Sequence, residues 1–215
     1  MSRCVAIDGP SGAGKSTISR EVAKRLGFVY VDTGALYRVI GLRCLERGGM
    51  ELDTLKLSLK FADGEQRVFD GERDVTTDIR RHEVSKAASD CSARPEVRAF
   101  LLELQRDLAR RNDVIMDGRD IGTVVLPDAG LKIYLTASAE DRARRRYNEL
   151  VQRGQCVSRE QILTDIVSRD YNDRTREEAP LCKAEDAILA DTTGNTLEQS
   201  ISLIEGLVRE RFGIS

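Results

Sequence analysis

Short apolar runs alternate along the chain with amphipathic stretches of helical length, the arrangement expected of a parallel sheet covered by helices. The runs at Cys4 to Asp8, Phe28 to Asp32, Asp113 to Asp117, Leu131 to Ala137 and Ala187 to Asp191 predict five core strands. Between them Lys15 to Leu26 and Ala35 to Arg47 read as helices, followed by a weaker helix near Asp53 to Phe61. From Gln66 to Asp78 the texture changes. A turn at Gly71 between β-branched and aromatic residues predicts a small hairpin inserted outside the main sheet. Ser85 to Asn112 is again helical, broken at Pro95. Ser138 to Arg176 carries two arginine-crowded helices joined at Gly154, too polar to be core. In the last segment, Leu197, Ile201, Ile204 and Val208 recur at helical spacing, so Leu197 to Phe212 should pack back on the sheet.

A chain of 215 residues can bury one substantial core carrying insertions. Hydrophobic residues make up 40% and charged residues 33%, a globular composition that argues against disorder. Lys plus Arg number 34 against 36 Asp plus Glu, a formal net charge of -2. No global positive field gathers nucleic acid, so any polyanion site must be local and no nucleic-acid partner is expected. The five cysteines, Cys4, Cys44, Cys91, Cys156 and Cys182, are far apart in sequence and form no CxxC pair, which predicts reduced, mostly buried thiols. A single histidine, His82, excludes metal sites made of His pairs and is expected at the surface. The acidic and glycine-rich start leaves no room for a signal peptide, and no run approaches the roughly 20 apolar residues of a membrane span. A cytoplasmic protein without a membrane partner is expected.

Gly9-Pro10-Ser11-Gly12-Ala13-Gly14-Lys15-Ser16 fills every fixed position of GxxxxGK[ST], directly after a predicted strand and before a predicted helix. The glycines let the loop curl its N–H groups inward around a β-phosphate, and the helix beginning near Lys15 adds the positive end of its dipole. Lys15 is placed to bridge β- and γ-phosphates, while Ser16, with Thr17 behind it, can ligate Mg²⁺. A phosphate-binding loop does not by itself separate kinases from other nucleotide-binding proteins. Here no NKxD-type guanine-reading motif follows, and the chain is short for a motor. Arginines also recur where an acceptor phosphate or a transferring phosphoryl group would lie. Phosphoryl transfer is largely positioning and charge stabilisation, so converging cations are what a kinase needs.

Three further constellations bear on the acceptor. In Asp32-Thr33-Gly34-Ala35-Leu36-Tyr37-Arg38, Thr33 is placed as helix cap or ligand hydroxyl, and Arg38 lies one turn past Gly34. Read structurally, Asp32 and Thr33 cap a helix and Arg38 is a solvated charge. Asp117-Gly118-Arg119-Asp120 puts Asp117 at the carboxyl end of a strand, near Mg²⁺ or its waters, with Arg119 and Asp120 projecting into the cleft where open α/β sheets bind ligands. The alternative is a loop ion pair. Arg169, Asp173 and Arg176, spaced i, i+4, i+7, share one helix face and can grip a phosphate and a ribose hydroxyl, or simply form a surface salt bridge. Arg142, Arg145 and Arg146 suggest a lid that closes over ATP and brings charge to the γ-phosphate. An RNA-binding helix is the competing reading of that cluster.

Taken together, the phosphate loop, Asp32 to Arg38, Asp117-Gly118-Arg119-Asp120-Ile121-Gly122-Thr123-Val124-Val125 and Arg169-Asp170-Tyr171-Asn172-Asp173-Arg174-Thr175-Arg176 resemble bacterial cytidylate kinases over essentially the whole chain. The first motif is common; the order and spacing of the other three are specific. The resemblance implies a P-loop NTPase fold of the α/β class, adenylate-kinase-like, with a five-stranded parallel sheet flanked by helices. It also implies a single domain with a core at about 1–37, 106–140 and 180–215. A small β-containing monophosphate-binding region would lie at about 38–105, and an Arg-rich helical lid at about 141–179. The implied activity is transfer of the ATP γ-phosphate to CMP or dCMP with Mg²⁺, by a monomer. By matching position, Arg38, Arg119 and Arg176 hold the acceptor phosphate, Arg169 and Asp173 the ribose, and Ser89, Arg98 and Asp120 the base, with Thr33 and Tyr37 alongside. Lys15, Arg119, Arg176, Arg142 and Arg145 are the implied catalytic set. Since Ser16 and Thr17 both follow the lysine, either hydroxyl can meet Mg²⁺. Chemistry supports the base assignment independently: a carboxylate accepts from cytosine N4 and a guanidinium donates to N3 and O2, whereas uracil O4 would face Asp120 acceptor to acceptor. Other acceptors, such as UMP, AMP or shikimate, and a non-catalytic nucleotide-binding module remain the alternatives.

Overall fold

In the computed structural model, which describes residues 2–62, 65–152 and 154–214 apart from the side chain of His82, the chain forms 15 strands and α-helices. They are β1 (Cys4–Asp8), α1 (Lys15–Leu26), β2 (Val29–Asp32), α2 (Thr33–Arg47), β3 (Leu57–Ala62), β4 (Glu65–Asp70), β5 (Arg73–Asp74), α3 (His82–Ser92), α4 (Pro95–Arg111), β6 (Val114–Gly118), β7 (Leu131–Thr136), α5 (Ala139–Gln152), α6 (Arg159–Thr175), β8 (Ile188–Asp191) and α7 (Leu197–Phe212). Five of the strands pair in parallel, in the order β2-β6-β1-β7-β8. All five predicted core strands are found, with ends shifted by at most a residue. The expected surface position of His82 falls outside what is described.

Strand alternation sends side chains to both faces of this sheet. Val5 and Ile7 join Ile18, Val22, Ile133, Ile201 and Ile204 in a cluster beneath α1 and α7. Ala6 points the other way, with Val31, Met116, Ala109 and Ile121 under α4. Register then aligns the carboxyl ends: Asp8 lies opposite Gly118, and Asp32 opposite Asp117. The chain segments after β1, β2 and β6, which carry the first three of the four sequence motifs, therefore share one edge, where ligands of open α/β sheets bind.

The inserted region departs from expectation. The weaker helix near Asp53 to Phe61 is a short 3₁₀ turn, Leu52–Thr54, followed by strand β3. Leu57, Leu59 and Phe61 alternate with Ser58 and Lys60, a period of two that a short helical window mistakes for a turn of helix. β3 pairs with β4, with Leu59 opposite Val68, and β4 with β5 through the predicted turn at Gly71, giving a three-stranded antiparallel sheet in place of a lone hairpin. Buried Arg43 of α2 ties this sheet down, reaching Asp70 Oδ2 at 2.7 Å and Oδ1 at 2.9 Å, Thr54 Oγ1 at 2.8 Å and Glu51 O at 2.9 Å. Val68, Val75 and Ile79 of the insertion close a cluster with Leu36, Ile40, Val84, Val97 and Leu101 from α2, α3 and α4.

Helices α2 and α3 meet at backbone contact, since a Cβ at Gly41 would stand 2.6 Å from Ala88 N. On the same interface Cys44 Sγ and Cys91 Sγ lie 3.3 Å apart as free thiols. The cysteines are less buried than expected: Cys91 is buried, Cys4 and Cys44 are half-buried, and Cys156 and Cys182 are exposed. Helices α5 and α6 pack on each other through Ala143, Ile162 and Ile166, flanked by Tyr147 and Leu150. No helix among the described residues is long and apolar enough to cross a membrane.

Candidate active site

Helix α1 begins at Lys15, and Gly14 before it adopts φ 88°, a left-handed conformation that a glycine takes without strain. The Lys15 ammonium is buried and folded back on its own loop, donating to Gly9 O at 2.7 Å and Pro10 O at 2.9 Å. Burial, with Arg119 nearby, pushes it down to about 7, against the pull of Asp117 and Asp8. Ser16 Oγ donates to Asp117 Oδ2 at 3.0 Å and Tyr30 OH to Asp117 Oδ1 at 2.8 Å, while Thr17 is exposed. Burial, then the neighbouring Asp32, raises the Asp117 carboxyl to about 6. A hydroxyl facing a buried carboxylate beside a phosphate loop is the donor set of a hard divalent cation that keeps waters and phosphate oxygens as its remaining ligands. No group of three or more His, Cys, Asp or Glu that could hold a metal ion occurs among the described residues; Ser16 and Asp117 are the residues here that fit such a cation.

From that floor a run of charged side chains extends along the sheet edge. Asp32 caps α2 by accepting from Ala35 N at 3.0 Å, and its other oxygen meets Arg80 Nη1 at 2.9 Å and Arg38 Nη1 at 3.5 Å. Burial alone would raise this carboxyl; Arg38 and Arg80 hold it below the usual range. Thr33 Oγ1 donates to Asp117 O at 2.8 Å and so locks β2 to β6. Arg119 Nε donates to Asp173 Oδ2 at 2.6 Å, and Arg119, Arg38, Asp173 and Asp170 all bear electrostatically on Arg169. Burial, followed by repulsion from Arg119, pushes Arg169 down to about 10. Further along, Asp120 is 4% exposed and clasped between Arg98 Nη2 and Arg176 Nη2, the latter at 3.4 Å. Burial raises the Asp120 carboxyl against both guanidiniums. The Arg98 guanidinium also stands 5.8 Å from the Tyr37 ring centroid and donates to Ser92 O, and Ser92 in turn donates to Ser89 O at 2.8 Å.

Seven of the predicted acceptor residues are therefore linked by ion pairs and electrostatic contact in the order Arg38, Arg169, Arg119, Asp173, Arg176, Asp120, Arg98. Arg176 sits at the Asp120 end, away from Arg38, and also donates through Nε to Ala179 O at 2.8 Å. Two buried donor atoms in the run, Arg38 Nη1 and Arg169 Nε, have no hydrogen-bond partner. Arg38 Nη1 has only the long ion pair to Asp32; buried guanidinium nitrogens without a hydrogen bond are costly, and an anion's oxygens are the acceptors they lack.

The arginines of α5 divide. Arg142, expected to swing with a lid toward the γ-phosphate, is buried and engaged: Nε donates to Ala137 O at 2.9 Å, Nη1 to Ser11 O at 2.7 Å, and Nη1 pairs with Asp170 Oδ2 at 2.7 Å. Arg145 lies at the donor loop, where a Cβ on Gly14 would be 3.9 Å from its Nη1, and it binds Thr192 and Asp141. Arg146 pairs with Glu149 at the surface.

Sequence reading passed over four contributors. Arg80 and Gln66 come from the insertion, where no motif flags them; Gln66 Oε1 accepts from Asp32 N at 2.9 Å and its Nε2 donates to Asp32 O at 3.2 Å. Asp8, directly before the phosphate loop, accepts from Ile121 N at 2.8 Å and Gly122 N at 2.7 Å and so holds the loop that carries Arg119 and Asp120. That loop continues as one turn of π-helix, Ile121–Val125, whose end carbonyls accept from Arg106 at 3.1 Å. Asp170, inside a motif already singled out, pairs with Arg142; only its position one residue past Arg169 hinted at it.

The family model described as cytidylate kinase matches residues 5–210. A cytidylate kinase of Caldicellulosiruptor saccharolyticus is 52% identical, covering 93% of this chain and 92% of that one. Those of Exiguobacterium sp., at 47% identity with 96% of each chain covered, and Carboxydothermus hydrogenoformans, at 49% with 92% and 93% covered, are similar throughout. Among solved structures, a sugar kinase from Janibacter sp. superposes with a TM-score of 0.51 at 15% identity over 100% of this chain and 96% of that one. An uncharacterised protein from Eubacterium ventriosum gives 0.56 at 9% identity over 96% and 98%. At such identities the likeness is one of fold.

Proposed function

The chain belongs to the cytidylate kinase family of nucleoside monophosphate kinases, and we propose that it transfers the γ-phosphoryl group of ATP to CMP or dCMP, yielding ADP and the diphosphate. The observation that carries this reading is the run of guanidiniums from Arg38 to Arg98 beside a phosphate loop, with two buried donor atoms that make no hydrogen bond.

The donor triphosphate lies along the amides of Gly9 to Thr17, and Lys15 exchanges its loop carbonyls for β- and γ-phosphate oxygens. Ser16, in preference to exposed Thr17, and Asp117 would hold Mg²⁺, which would offset charge on the donor's phosphate oxygens. The acceptor phosphate lies between Arg38, Arg169 and Arg119, with Arg80 in support through Asp32. Asp173, held by Arg119, takes the ribose together with Arg169, and Asp120, Arg98 and Ser89 read the base beside Tyr37. Arg176 fixes Asp120 and spans base and phosphate. Arg119 and Arg145 flank the transferring group and offset its charge without proton chemistry. The core at about 1–37, 106–140 and 180–215 carries the donor loop, the region at about 141–179 rests on that loop through Arg142 and Asp170, and the region at about 38–105 closes toward it.

An acceptor panel with coupled ADP detection tests the reading. CMP and dCMP should accelerate ADP release strongly, UMP weakly, and AMP and shikimate not at all. Binding of ATP with no acceptor that accelerates its turnover would leave a nucleotide-binding module instead.

A further inference from the structure

We propose that Asp170 is a positioning residue that couples the donor loop to the acceptor pocket, so that each substrate tightens the binding of the other through α6. The inference rests on the reading of the two pockets as ATP and CMP sites, and adds a residue and a consequence to it.

The Ser11 peptide unit at the tip of the phosphate loop is clamped at both ends. Its N–H donates to Asp170 Oδ1 at 3.0 Å, and its carbonyl accepts from Arg142 Nη1 at 2.7 Å. The two clamping side chains pair with each other at 2.7 Å and are only 6% and 7% exposed. Arg142 is fixed in turn by its Nε bond to Ala137 O, just past the end of β7. Next along the loop, a Cβ on Gly12 would lie 3.3 Å from Arg142 Cβ and 3.4 Å from Ile166 Cδ1, so the loop backbone rests directly on α5 and α6. Loop tip and α6 therefore move together, because displacing either exposes or unpairs buried charge.

Neighbouring side chains on α6 face the other pocket. Arg169 adjoins Asp170 in sequence, and Asp173, one turn on, receives Arg119 at 2.6 Å. In one rigid helical turn, one carboxylate is committed to the donor loop and another to the arginine that meets the acceptor. Ordering the loop around a triphosphate fixes Asp170, hence the azimuth of α6, hence Arg169 and the Asp173–Arg119 pair. By linkage the effect is equal in both directions.

Asp170→Asn keeps an oxygen for the Ser11 N–H and removes the charge facing Arg142. Titration calorimetry on the full chain would measure the Kd of a non-hydrolysable ATP analogue with Mg²⁺, with and without saturating CMP, and the Kd of CMP with and without the analogue. In the wild type each ligand should tighten the other by about fivefold or more, a typical allosteric coupling. In D170N that factor should fall below about 2, while CMP alone binds within about threefold of wild type. Arg142→Lys, which keeps the cation and loses the forked contact with Ser11 O and Ala137 O, should lower the factor as well, and serves if D170N fails to fold, as judged by its thermal transition. A purely structural role would lower Tm and weaken both ligands while preserving the ratio, and that result, or a wild-type factor of one, overturns the inference. Failure of CMP to bind the wild type at all would instead strike the functional reading, and this proposal with it.

Discussion

At Asp120 a carboxylate is held between two guanidiniums, an arrangement that, under the proposed function, suits a discriminating acceptor. Its lone pairs are aimed, it is almost wholly removed from water, and it has no proton to offer uracil O4 while ionised. Facing an acceptor with an acceptor in a buried site costs about 1–3 kcal/mol. Asp120→Ala should therefore lower the CMP-to-UMP ratio of kcat/KM by about 5- to 160-fold. Both KM values should rise, since Arg98 and Arg176 lose their shared partner; an unaltered ratio would remove Asp120 from base reading. Lys15 makes a prediction in protons. Its pKa in the free protein is lowered to about 7 from an ordinary 10.5, so between these values the folded chain binds fewer protons than the unfolded one. This group's contribution to stability accordingly grows as pH rises from 7 toward 10.5, once the buried charge has been given up. A triphosphate beside the amine restores the charge. At pH 8 ATP binding should therefore take up a proton, seen as a dependence of the calorimetric heat on buffer ionisation enthalpy, and Lys15→Met should abolish that dependence.

Elements were legible in proportion to how local their causes are. The five core strands, α1 and the phosphate loop declare themselves because apolar runs, glycines and the Lys15 helix start are contiguous. β3 was misread because its alternation is short and its leucines only half-buried, so the pairing with β4 that makes it a strand lies outside any local window. The π-turn at Ile121–Val125 has no sequence signature either, since the Asp8 carboxylate and the Arg106 guanidinium that hold it come from elsewhere in the chain. The same reasoning applies to the insertion, whose Gln66 side chain replaces a strand neighbour for both backbone groups of Asp32. Gln66→Ala leaves those groups unpaired at the corner that carries Thr33 and Arg38, at a cost of about 1–3 kcal/mol. Steady-state kinetics should show KM for CMP raised severalfold with KM for ATP nearly unchanged. Equal changes in both would mean that the insertion supports the fold generally and not the acceptor corner.

Across the whole molecule, 34 cations nearly balance 36 anions, yet Arg38, Arg119 and Arg169 are drawn into one partly desolvated pocket. The free enzyme thus carries repulsion that no net-charge argument reveals; the depression of Arg169 to about 10 by burial and by Arg119 is its local sign. Motifs in the sequence point to these arginines, but their crowding depends on α2, the loop after β6 and α6 meeting, which only the assembled fold provides. Under the proposed function a ligand that brings a phosphate relieves the repulsion and offers acceptors to the two donors that lack a hydrogen bond, whereas one that brings only a base and a ribose does neither. At 100 times its Kd a ligand stabilises the folded state by about 2.7 kcal/mol, which for a chain of this size raises Tm by about 5–10 °C. CMP should reach that shift at concentrations where cytidine gives little, and the gap between them should narrow as salt screens the pocket. In Arg169→Ala the gap should shrink at low salt too, because part of the repulsion is already gone. Equal shifts for CMP and cytidine in the wild type would show that the arginine run is not where the acceptor phosphate binds.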